Sequence, residues 1–94
     1  MGSANRVKPE KLPGKLKTIR IGLDLTFEDL IEKLDLPDIP LYRASISQYE
    51  SGKREPPLIV LLKYARMANV YLETLVDDEL ELPEKLPVSG RKDF

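Results

Sequence analysis

The chain contains no histidine, no cysteine and no tryptophan among its 94 residues. Without cysteine there is neither a disulfide framework nor a thiolate metal site. Without histidine the commonest zinc ligand and the usual proton shuttle near neutral pH are both missing. Glycine is scarce, with five in all, and is nowhere clustered into a loop that could cradle a phosphate. No apolar run approaches the roughly 18 residues that a membrane span requires. The first residues carry no apolar core of the kind that addresses a chain for export. These absences set the expectations: no cofactor, no membrane, a reducing cytoplasmic setting and no enzyme chemistry of the common kinds. Glu28, Asp29 and Glu32 have the spacing of a weak cation site, but a solvated helix face accounts for them better.

What is present is charge, arranged in blocks. A third of the residues are charged and 41% are apolar, the balance of one small globular domain with a modest core. The net charge of -1 conceals segregation: residues 1–20 carry +5, 21–42 carry -5, 43–72 carry +3, 73–84 carry -6 and 85–94 carry +2. Alternating blocks of this kind mean opposed surfaces rather than a uniformly basic body.

Apolar spacing predicts five short helices. Leu12, Leu16, Ile19 and Leu23 form one helical stripe, giving a first helix over 13–21 that ends near Gly22. In "TFEDLIEKL", Thr26 is a good N-cap, and Asp29 three residues on completes an approximate capping box. Phe27, Leu30, Ile31 and Leu34 make the buried face of this second helix. "DLPDIPL" cannot continue it, because its two prolines push the preceding residues into extended backbone. Its Leu36, Ile39 and Leu41 are expected to tuck against the body. A third helix spans 43–51, with Ile46 and Tyr49 inward and Arg43, Ala44, Ser47, Gln48 and Ser51 outward. Gly52 stops it. The fourth helix opens at Pro57 and runs to Ala68; it is apolar on nearly every side and is expected to be central. Asn69 suits the left-handed stop that follows it. A fifth helix covers 71–77, with Leu72, Leu75 and Val76 inward. The expected organisation is a flexible basic arm over 1–11, a domain over 12–79 and an irregular tail over 80–94. Helices alone, tightly connected, make an all-α fold, and the second and third are a candidate helix-turn-helix.

"SISQYESGKREPP" followed by "LLKYARMANVYLETLVDDE" resembles the Cro/phage-repressor-like, or Xre-type, helix-turn-helix regulators over residues 12–79. Ile46, Tyr49, Glu50, Gly52, Lys53, Pro56, Leu61, Leu62, Ala65, Val70, Leu72 and Leu75 fill that family's characteristic places. The resemblance implies a compact five-helix lambda-repressor-like DNA-binding domain, with the third helix in the major groove of double-stranded DNA and a homodimer on a two-fold operator. It marks Arg43, Ala44, Ser47 and Gln48 as base contacts, since arginine pairs with guanine, glutamine with adenine, and alanine meets the thymine methyl. Tyr42, Ser51, Lys53, Arg54 and Thr26 become backbone contacts. Arg6, Lys8, Lys11, Lys15, Lys17 and Arg20 could lie along phosphates as an arm. Glu50 is expected to order the local turn by pairing with an arginine, and Tyr49 and Tyr64 to belong to the core.

Three features depart from the family pattern. Residues 35–42 make an extended turn of eight residues between helices two and three, where the family has three or four. Ile31 stands where a small residue is usual, and Asp35 where a turn glycine is usual. Phe27 replaces a polar phosphate contact at the start of helix two. A bulky Ile31 should wedge the two helices apart, and the longer turn would then accommodate the gap. The acid run from Glu73 to Glu84 is expected to point away from DNA, leaving helix five with Leu80, Leu82 and Leu86 for a dimer contact. The leading reading is a small sequence-specific DNA-binding regulator, probed by the salt dependence that phosphate contacts impose. The competing reading is a protein-interaction module or antitoxin-like partner on the same fold.

Overall fold

The computed structural model describes residues 8–86, and all regular structure among them is helical. Five helices follow in chain order: α1 (Leu12–Gly22), α2 (Phe27–Leu34), α3 (Arg43–Ser51), α4 (Leu58–Ala68) and α5 (Leu72–Val76). The core draws on all of them: Leu12, Leu16 and Ile19 from α1, Leu30 and Leu34 from α2, Ile46 and Tyr49 from α3, Val60, Leu61, Tyr64, Ala65 and Ala68 from α4, and Leu75 from α5. Spacing by three and four puts each set on one face of its helix. α3 packs on α1 and α2, whereas α5 packs on α1 and α4.

Local chemistry fixes the helix ends. Thr26 Oγ1 accepts from the Asp29 N–H at 3.0 Å, and the Asp29 carboxylate accepts from the Thr26 N–H at 3.3 Å, so the capping box is complete. Asp35 and Asn69 take left-handed backbone after α2 and α4, with φ of 52° and 59°. Gly52 does the same after α3 at φ 82°, and a Cβ there would sit 3.3 Å from Pro13 Cγ. α1 ends at Gly22 as expected, and the left-handed residue that follows it is Asp24, at φ 59°. Gly22 packs beside the tail, with Leu86 Cδ1 3.4 Å from where its Cβ would be. Pro57 precedes α4 rather than opening it, and its carbonyl accepts from the Val60 and Leu61 N–H groups.

α4 is central as expected, packing on α1, α2 and α5, and only its outer side leaves Leu58 and Ile59 exposed. Three expectations need correction. Val76 is exposed too, because one and a half turns of α5 can aim only Leu72 and Leu75 at the core. Leu82 and Leu86 are not free for another copy, since both are half-buried against this chain's own core. Nor do the cations from Lys11 onward form a loose arm. Lys15 is buried, and its ammonium donates to the carbonyls of Thr74 at 2.7 Å and Asp77 at 3.0 Å, satisfying the open end of α5. Lys11 pairs with Glu81, and Arg20 pairs with Glu50. Arg6 lies outside the described residues.

A return bond completes this end of the molecule. The Asp78 carboxylate accepts from the backbone N–H groups of Glu10 and Lys11 at 2.9 and 3.0 Å, just ahead of α1. Those two bonds hold its carboxyl below the usual aspartate range. The acid run is thus partly occupied with the start of α1.

Candidate nucleic-acid interface

α3 is held from behind and left open in front. Ile46 and Tyr49 are fully buried, and Ser45 beneath them accepts from the Tyr42 N–H at 3.1 Å, which fixes the first turn. Burial raises the Tyr49 hydroxyl pKa, so the ring behaves as a neutral core group. Helical periodicity then forces the intervening residues outward. Arg43, Ala44, Ser47 and Ser51 are exposed and Gln48 is half-exposed, so the five outward positions share one arc.

The last turn is wound tightly. The Gln48 carbonyl accepts from the N–H groups of Lys53 at 3.0 Å and Arg54 at 3.2 Å, and from the Ser51 hydroxyl at 3.2 Å. Lys53 and Arg54 are exposed at the exit of α3, on backbone held by those bonds rather than on a loose loop. Tyr42 is exposed immediately before α3. Thr26 is also exposed, but its hydroxyl is committed to the cap of α2, beside Asp29. Among the predicted backbone contacts, Thr26 is therefore the one in acidic company.

Two arginine–glutamate pairs meet at Phe27. Arg20 of α1 donates to Glu50 of α3 through Nε at 2.7 Å and Nη2 at 3.1 Å, and to the Leu25 carbonyl through Nη1 at 3.1 Å. Both side chains are partly buried, and the hydrogen bond to Glu50 raises the Arg20 pKa further. Arg43 of α3 donates through Nη1 to Glu28 of α2, holding the Glu28 carboxyl below its usual range. This second pair is open to water. The two guanidinium carbons lie 4.4 and 5.0 Å from the Phe27 ring centroid. Phe27 thus replaces a polar contact with a platform for two cations.

Beside this platform, a cleft of about 290 Å³ runs between α1 and α3, lined by Lys17, Arg20, Phe27, Ser47, Glu50 and Ser51. Arg20 and Glu50 neutralise each other on its wall, so the exposed Lys17 gives it a positive balance. Lys17 stood in the sequence only as one of several N-terminal cations. Its i+3 and i−1 relation to Arg20 and Leu16 was the available signal that it faces out beside α3. Glu50 pairs with an arginine as expected; that the arginine is Arg20, 30 residues away, had no local signal. Glu28, Asp29 and Glu32 are exposed along α2, and no group of acids among the described residues is placed to hold a metal.

A buried inner face, a compact capped exit and an outward polar arc make α2 and α3 a helix-turn-helix with an eight-residue connection. The family model described as helix-turn-helix matches residues 16–75, which is most of the chain. This chain belongs to the Xre/Cro-like helix-turn-helix family, a class of DNA-binding transcription regulators. No curated protein and no solved structure matches it. Among the described residues, no helix is long and apolar enough to cross a membrane.

Proposed function

We propose that this chain is a small sequence-specific repressor that sets α3 into the major groove of a double-stranded operator. The observation that carries the reading is the division of α3, with Ile46 and Tyr49 enclosed and Arg43, Ala44, Ser47 and Gln48 turned out. Arg43 offers a paired contact to guanine and Gln48 one to adenine, while Ala44 and Ser47 leave room for the groove floor. Lys53, Arg54, Tyr42 and Ser51 meet the flanking phosphates, and Lys17 adds a cation from α1. Thr26 is the weakest of the backbone contacts, because Glu28 and Asp29 beside it repel phosphate.

Two-fold operators need two copies. Tyr71, Val76 and Leu80 are exposed and apolar, and we assign them to the contact with a second copy in place of Leu82 and Leu86. Selection of duplexes from a random pool tests the reading directly. A repressor of this kind recovers a palindrome whose spacing reports the symmetry, and its affinity falls steeply with salt. Recovery of no preferred sequence would refute it. The exposed acids of α2 favour a second reading, an antitoxin-like module that binds a basic protein partner. That reading requires no salt-dependent affinity for DNA.

A further inference from the structure

We propose that Glu28 is a positioning residue that holds Arg43 for base readout and keeps it from the phosphates. The inference rests on the reading of Arg43 as a base contact. Arginine is long and carries five donors, and a backbone phosphate competes with a base edge for it. Here the choice is constrained in two ways. Glu28 takes one donor, at Nη1, and leaves Nε and Nη2 unclaimed by it. The Phe27 ring lies under the guanidinium, 5.0 Å from its central carbon. Both partners sit in the first turn of α2, whose start is fixed by the capping box of Thr26 and Asp29. The constraint is therefore anchored to the fold rather than to a mobile loop.

Glu28 also acts through its charge. A carboxylate beside the guanidinium lowers the attraction of this spot for phosphate, while a guanine still offers two acceptors in a fixed geometry. The pair does little for the folded state: 64% and 58% of the two side chains are exposed, and exposed ion pairs stabilise weakly. Its effect belongs to recognition.

The test uses the full chain and the duplex recovered by selection, with single-base variants of it. Glu28→Gln removes the charge and keeps the shape. Glu32→Gln, an exposed acid on the same helix, removes the same charge away from Arg43. In Glu28→Gln the preference for the correct base opposite Arg43 is expected to fall about two- to tenfold, the range for freeing one rotamer-rich side chain. Binding to unrelated duplex is expected to tighten, and Glu32→Gln should tighten correct and incorrect sites alike. If Glu28→Gln also shifts both sites by one common factor, the inference is wrong and base readout survives. If Arg43→Ala leaves the base preference unaltered, the underlying reading fails and takes the inference with it.

Discussion

One phenylalanine ring separates two pairs of the same composition. Arg20 with Glu50 is enclosed, joined by two hydrogen bonds, and ties α1 to α3. Arg43 with Glu28 is joined by one, stands in water, and ties α3 to α2. Identical side chains have different consequences because water decides which charges must stay paired. Inside, losing Glu50 leaves Arg20 with only the Leu25 carbonyl and the Phe27 ring for company. Outside, either can exchange its partner for solvent or for a nucleotide. The inner pair therefore fastens α3 to α1, and the outer pair is available for recognition.

Breaking the inner pair should have the largest effect. Glu50→Ala takes two hydrogen bonds from a partly buried guanidinium that keeps the Leu25 carbonyl, and urea denaturation should show a loss of about 1–3 kcal/mol. For a domain stabilised by roughly 5–15 kcal/mol, that is a measurable share. Arg43→Ala should leave the denaturation midpoint unchanged, yet cost about 1–3 kcal/mol of discrimination at a single base position, read by competition binding. Equal stability losses in the two variants would dissolve the contrast.

Lys17 sharpens the comparison, because it lines the same cleft without a glutamate of its own there. Lys17→Ala should reduce the slope of log affinity against log salt by about 0.9, the value for one phosphate, with base preference retained. The smallest effect is expected at Asp78, a half-buried acid whose partners are backbone amides. Its folded-state pKa is depressed, so its stabilising contribution is present above the unfolded value of about 3.9 and is lost as pH falls through the folded one. Asp78→Asn should flatten the acid limb of a stability–pH curve and leave neutral-pH DNA binding intact.

Much of this fold is legible in the sequence because its helices announce themselves locally. The Leu12, Leu16, Ile19 stripe, the Thr26–Asp29 box and the Gly52 and Asn69 stops each act within a few residues. The outward arc of α3 follows from Ile46 and Tyr49 facing in. Long-range chemistry is what escaped. Lys15 reads as one more surface cation until α5 arrives 59 residues later with its open carbonyls. Leu82 and Leu86 read as a free apolar tail until the fold is seen to pack both against its own core. The Glu28–Arg43 contact spans only 15 residues, but it depends on how the eight-residue turn brings α3 against α2.

The bonds from Glu10 and Lys11 to Asp78 join positions 68 and 67 residues apart. During synthesis the opening helix must wait for almost the whole domain to leave the ribosome before its leading amides find their acceptor. α2 and α3, being near neighbours along the polypeptide, can meet well before that.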